Sequence, residues 1–208
     1  MKSKICLALL VAALLLSALT ACAASSPQSL ADSPMRGSWD ENVFTSEHLG
    51  LSFTKPILWN VASDEEIAEI MGLGLEMLEM EMDVDAFMEV ADVLVFHDMV
   101  AANPLTGASV QIIFERLVFP ANRLSAPEYI ERASQTLVEM GMDVNLDFPG
   151  TTRIGDYDWY SYESILEVHG TNIYGRYFVS VQGGFARIIA IIYHDGSESL
   201  ENILAMFS

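Results

Sequence analysis

Two His-Asp pairs are the first places to look for chemistry in this chain: His97-Asp98 and His194-Asp195. An imidazole beside a carboxylate can hold a metal or move a proton. Neighbours within a strand point to opposite faces, however, so neither pair grips one ion from inside a strand. The remaining histidines, His48 and His169, create no His-x-x-x-His spacing and have no cysteine near them. There is no Gly-x-Ser-x-Gly elbow, and Lys55 follows no glycine-rich run, so neither a hydrolase nucleophile nor a phosphate loop is legible. Gly72-Leu-Gly74 lacks a third glycine and a preceding strand. Asp83-Val-Asp85 opens like a calcium loop, but Met88 and Leu94 stand where that loop needs Gly and Glu. No catalytic residue, no metal site and no cofactor is expected.

Two softer constellations remain. Met71, Met77, Met80, Met82 and Met88 lie close together. Thioethers can select Cu(I) or form an adaptable greasy surface, yet Met71 and Met82 fall on one apolar stripe with Ile67, Leu75 and Leu78, which is core spacing. The second constellation is aromatic. Tyr157, Trp159, Tyr160 and Tyr162 lie on one expected strand, with Tyr174 and Tyr177 on the next. Tyr157 and Trp159 share one face, Tyr160 and Tyr162 the other. One set must be core. The other is either an exposed strip suited to a peptide, glycan or protein partner, or lies beneath a helix.

The two cysteines belong to the leading segment. Met1-Lys-Ser-Lys4 is cationic, Ile5 to Leu16 is an unbroken apolar run that includes Cys6, and Leu19-Thr-Ala-Cys22 follows. This arrangement resembles the bacterial lipoprotein signal with its lipobox. The resemblance implies cleavage before Cys22, a diacylglycerol on its thiol, and a membrane anchor on the extracytoplasmic face. An uncleaved membrane helix and an ordinary secretory cleavage are the competing readings. With Cys6 removed and Cys22 lipidated, the domain keeps neither thiol nor disulfide. Residues 1–21 are thus the expected signal peptide, 22–42 the lipidated cysteine and a flexible tether, and 43–208 a single globular domain. A tether of that composition spans roughly 25 Å root-mean-square.

Charge excludes one class of partner. The net charge is −19, with ten basic against 29 acidic residues, and two of the ten, Lys2 and Lys4, lie in the leader. Nucleic acid requires clustered cations, so it is not an expected partner. Anionic lipid headgroups are disfavoured for the same reason.

The positioning elements follow from pattern. Val43 to Trp59 reads as two strands about a His48-Leu49-Gly50 turn, then a proline break. Ser63 and Glu66 make a capping box for a helix reaching Met82. A strand runs from Asp92 to the turn Asn103–Gly107, and its partner "ASVQIIFERLVF" alternates Val110, Ile112 and Phe114 with more polar positions. Ser125, Pro127 and Glu128 start a helix with Tyr129, Ala133, Leu137 and Met140 inward and Gly141 as its stop. Three strands follow, Thr151 to Leu166 with a break, Thr171 to Gln182 and Phe185 to Tyr193, turning at His169-Gly170 and Gly183-Gly184. "ARIIAIIYH" is apolar on both faces and so belongs in the middle of the sheet. A helix from Ser197 to Phe207 closes the chain. The expected fold is α+β, an antiparallel sheet flanked by helices.

Leu49-Gly-Leu-Ser-Phe-Thr-Lys-Pro56 with Trp59 resembles the opening of the PsbP-like fold and of uncharacterised Firmicutes lipoproteins, where a strand, a Pro and a Trp precede the first helix. Pro56-Ile-Leu-Trp59 stands here in place of the usual Pro-x-Gly-Trp turn. The resemblance implies a non-enzymatic binding or scaffolding role. The expected function is that of a membrane-anchored lipoprotein binding a protein partner or envelope component. The alternatives are a small-ligand or metal-binding accessory lipoprotein and an unrecognised envelope enzyme.

Overall fold

The computed structural model describes residues 36–63, 65–67, 95–117, 121–139, 141–146 and 150–208. The leader, Cys6, Cys22, the first part of the tether, the body of the helix expected after Ser63, the five clustered methionines, Asp83-Val-Asp85 and Met140 lie outside the described residues.

The strands are β1 Ser38–Asp40, β2 Val43–Ser46, β3 Leu51–Thr54, β4 Asn60–Val61, β5 Val95–Ala102, β6 Ser109–Arg116, β7 Asp143–Asn145, β8 Thr152–Ile154, β9 Tyr157–Val168, β10 Thr171–Gln182 and β11 Phe185–His194. Among the described residues, helices α1 Ala126–Glu139 and α2 Leu200–Leu204 accompany them, with a helical turn at 65–67. The large sheet runs β4-β5-β6-β11-β10-β9-β7, with β8 also paired to β9, and its pairings are antiparallel. A small antiparallel sheet has the order β1-β2-β3. The fold is α+β but dominated by sheet.

The long strands form because their turns demand it. Both residues of Gly183-Gly184 have positive φ, +63° and +81°, the backbone of a two-residue hairpin whose twist matches its strands. The resulting register continues over ten pairs, from Gln182↔Phe185 to Ile173↔His194. Strand β11 sits at the centre of the large sheet, as its two apolar faces require.

Each face of the large sheet carries its own core. On one, α1 lays down Tyr129, Ile130, Ala133 and Leu137 against Ile113, Tyr162, Tyr177, Val179 and Ile188. Burial of each larger apolar side chain stabilises by about 1.5–3 kcal/mol. Helix α1 starts where the capping pattern places it: the Ser125 N–H and hydroxyl both donate to Glu128 Oε2, at 2.8 and 2.7 Å. On the other face, Phe44, Leu49, Leu51 and Phe53 of the small sheet pack with Trp59, Phe96, Ile112, Phe114, Trp159, Phe178 and Ile189, joined by Ile203 of α2.

The structure departs from expectation at definite points. The second face is covered mainly by a three-stranded sheet, not by helices, because the tight turn at residues 47–50 folds β3 back on β2 before the chain leaves. Strand β1 lies inside the expected tether: Trp39 pairs with Phe44 and their rings stand 5.4 Å apart, so the folded domain begins before Val43. Strands β4 and β7 are too short to carry a legible period. The polar positions of β6 are not solvated, since Ser109, Gln111 and Glu115 are buried on the α1 face. The closing helix is only Leu200–Leu204, and the last residues instead pair with β3, Ser52 N–H to Ser208 O at 2.7 Å and Ser208 N–H to Ser52 O at 2.9 Å.

Candidate functional site

The six aromatic residues singled out from sequence do not form one open strip. Trp159, Tyr162 and Tyr177 are buried, while Tyr157, Tyr160 and Tyr174 are half-buried. The two-face logic holds, but both faces are covered. Trp159 lies under the small sheet and donates its Nε1 hydrogen to Ile154 O at 2.9 Å. Tyr162 and Tyr177 stack at 4.6 Å on the α1 side, and Tyr160 packs against the same core. Burial raises the pKa of both stacked phenols, that of Tyr162 strongly. Tyr174 stacks on Tyr193 at 5.2 Å, and its hydroxyl donates to Asp195 Oδ1 at 3.4 Å.

Neither His-Asp pair lies within regular strand, since Asp98 sits in a bulge and Asp195 follows the end of β11. His97 pairs with Ile113 and faces α1, where burial holds its imidazole down to about 4. Asp98 occupies a bulge between His97 and Met99 and accepts the Gly37 N–H at 2.7 Å. Burial pushes its carboxyl up to about 6, against the Gly37 bond and the charge of Arg36. Both ring nitrogens of His194 lie on backbone carbonyls, of Asp195 at 2.7 Å and Thr106 at 2.6 Å. Among the described residues, no group of three or more His, Cys, Asp or Glu is arranged to hold a metal.

What the fold does present is a clasp under two loops. Glu198, just before α2, accepts from Asn103 Nδ2 at 2.5 Å, Thr106 Oγ1 at 2.7 Å and Trp59 Nε1 at 3.3 Å. Burial alone would raise its carboxyl, but the bonds from Asn103, Thr106 and Trp59 outweigh that and hold it below the usual range. One carboxylate thus ties loop 55–59 to turn 103–107. Further bonds stiffen the loops: Lys55 Nζ donates to Trp59 O at 3.0 Å, and Leu105 N–H to Asn103 Oδ1 at 2.9 Å.

The clasped loops carry exposed apolar side chains. Ile57 is 86% exposed, Leu105 79%, Leu58 64%, and Val61 just beyond is 37% exposed. The other large exposed hydrophobics among the described residues, Val43, Val138 and Leu146, lie elsewhere and singly. Isolated exposed aliphatics need no explanation, whereas Ile57, Leu58 and Leu105 stand on two bonded loops with Val61 next to them. This surface carries no catalytic constellation. It offers apolar area on a rigid support, which suits binding. The sequence did contain one signal for it, Ile57-Leu58 between Pro56 and Trp59, where the resembling pattern turns through glycine. Glu198 carried no signal, since its partners lie more than 90 residues away in the chain.

No protein-family model matches the chain, and no curated protein matches it. A crystal structure from Bacteroides thetaiotaomicron superposes with a TM-score of 0.42 at 15% identity, covering 80% of this chain and 47% of that one. The chain therefore spans about half the length of that protein. The solution structure of cyanobacterial PsbP (CyanoP) from Synechocystis superposes with a TM-score of 0.45 at 11% identity, covering 91% of this chain and 98% of that one. The sheet-dominated α+β fold rests on strand order and register, independent of these superpositions.

Proposed function

We propose that this chain is a membrane-anchored, extracytoplasmic lipoprotein of PsbP-like type. In this reading its task is non-catalytic, holding a protein partner against the apolar tip formed by Ile57, Leu58 and Leu105. The lipobox pattern ending at Cys22 supports the anchor. The observation that carries the binding role is the grouping of exposed aliphatics on two loops tied by Glu198. A rigid apolar tip loses little conformational entropy on association, which favours recognition by a preformed cleft. The chain's net charge of −19 favours a partner with a basic surface and disfavours anionic lipid.

A photo-crosslinker placed at Leu58 of the full chain in cells tests the reading, with one at exposed Glu131 on α1 as comparison. The expected result is a discrete protein adduct from position 58 that disappears when Leu105→Asp is added. Equal labelling from both positions, or adducts to lipid alone, would overturn the partner role. Failure of Cys22→Ala to abolish fatty-acid labelling would separately overturn the anchor.

A further inference from the structure

Arg187 is a buried cation with no ion pair among the described residues. Only 5% of its surface is exposed, and no carboxylate among the described residues pairs with it. Its guanidinium sits over the Tyr157 ring, 4.2 Å from the centroid, so one face is taken. Nη1 donates to Gln182 Oε1 at 2.9 Å, and Nε is buried with no acceptor among the described residues. A desolvated guanidinium is costly unless paired, and a neutral amide oxygen is a weak substitute for a carboxylate.

The surroundings add a second cation, Arg116, and the imidazole of His48, whose pKa burial and the nearby charge of Arg187 lower. Strand register sets Arg187 beside Phe114 and Phe185 beside Arg116. Arg116 follows Phe114 by two residues and so leaves the sheet on the same face. His48 reaches in from the β2–β3 turn, its ring 5.8 Å from that of Phe114, and the Tyr157 hydroxyl donates to the His48 carbonyl at 3.2 Å. That turn is held close. A Cβ on Gly155 would strike the carbonyls of Leu49 and Gly50, and the Asp156 N–H donates to Leu49 O at 3.1 Å. Two arginines and a histidine therefore converge on one corner of a chain whose net charge is −19. Gln182 is exposed, at the edge of the Gly183-Gly184 turn, and is free to swing aside.

We propose that this corner binds the carboxylate of a small organic acid, which displaces the Gln182 amide and pairs end-on with Arg187 between Arg116 and His48. With one face of the guanidinium against Tyr157, its in-plane edges are what a ligand can reach. A planar two-oxygen acceptor matches such an edge with two parallel hydrogen bonds.

The test titrates the full chain near neutral pH with sodium acetate, inorganic phosphate or sodium chloride at matched ionic strength, following the ring resonances of His48 and Tyr157. Acetate is expected to give a saturable shift, phosphate a weaker one, and chloride none that saturates. Arg187→Lys should weaken acetate by about tenfold, because a point charge replaces the planar fork. Gln182→Glu supplies the carboxylate from within, so it should abolish the acetate response and raise Tm. If Arg187→Lys does not fold, Gln182→Glu and the half-exposed Arg116→Gln, expected to weaken acetate, still decide. Linear shifts indistinguishable from chloride, unchanged acetate binding in Gln182→Glu, or phosphate binding tighter than acetate would each overturn the assignment.

Discussion

The two faces of the large sheet are both buried, yet they are closed by different means. On the α1 face, helix α1 lies over β7, β9 and β10, Ile67 packs against the same cluster, and the core beneath is mostly aliphatic, with stacked Tyr162 and Tyr177 at its edge. That face also hides polar atoms. Tyr129 donates to Glu115 Oε2 at 2.5 Å, while the Tyr162 hydroxyl, Gln111 Oε1, Ser109 Oγ and His97 Nε2 are buried with no partner among the described residues. On the opposite face a small sheet presses aromatic rings together, Phe96 on Phe114 at 6.1 Å and Phe53 on Phe207 at 5.0 Å. Its charged groups lie at Asp98, Arg187 and Glu198, and the Ser46 hydroxyl is buried beneath the small sheet. A helix on a sheet covers broad area with aliphatic ridges. A sheet on a sheet needs bulkier side chains to fill the gap of about 10 Å between layers.

The strongest way to break this contrast is to hollow out each core. Phe114→Ala should cost about 3–5 kcal/mol, and Ile188→Val on the α1 face about 0.5–1.5 kcal/mol, read from urea midpoints at unchanged slope. A cost below about 1 kcal/mol for Phe114→Ala would show that the small sheet is not packed on that ring.

Acid titration sharpens the contrast next, because His97 and Asp98 face opposite layers and have opposite slopes. The Asp98 carboxyl, raised from 3.8 to about 6, contributes stability that is full below pH 3.8 and lost as pH rises to about 6. The His97 imidazole, lowered from 6.5 to about 4, does the reverse, adding stability as pH rises from about 4 to 6.5. In the native chain the two partly cancel. Asp98→Asn should therefore gain on the native chain across that window, by up to about 3 kcal/mol for a shift of roughly two pKa units. Denaturant unfolding at a series of pH values measures it, and a parallel pair of curves would contradict it.

Smaller effects separate satisfied from unsatisfied hydroxyls within the α1 face. Tyr129→Phe removes the bond to Glu115 and should cost about 1–3 kcal/mol. Tyr162→Phe removes a buried hydroxyl with no partner among the described residues and should be neutral or stabilise by about 1 kcal/mol. Smallest of all, Leu58→Asp should change stability by less than about 0.5 kcal/mol, since the side chain lies outside both cores. Leu105→Asp should likewise leave stability unchanged while losing the adducts formed from a crosslinker at position 58, which separates the proposed contact from the fold.

Much of the fold was legible because its signals are local. The capping boxes at Ser63-Glu66 and Ser125-Glu128 form as written, with Ser63 N–H donating to Glu66 Oε2 at 2.8 Å. The hairpin turns and the central place of β11 follow from glycine pairs and a doubly apolar run. Strand β1 was misread because Ser-Trp-Asp between polar residues has no period, and only pairing with β2 gives it one. Of the candidate site, Ile57 and Leu58 were visible as a departure from a turn pattern, but their exposure was not. The aromatic residues were visible as a cluster, but which layers cover them was not.

By itself the sequence determines the Leu19-Thr-Ala-Cys22 pattern, the net charge of −19, the alternation of the strands and the glycine turns. These properties depend on neighbours within a few residues. Tertiary structure alone decides that a small sheet covers the second face, that Glu198 gathers two distant loops, and that Arg187 is enclosed with no ion pair among the described residues. Those outcomes depend on contacts between residues far apart in the chain, whose cost in conformational entropy is offset only when the whole core closes at once.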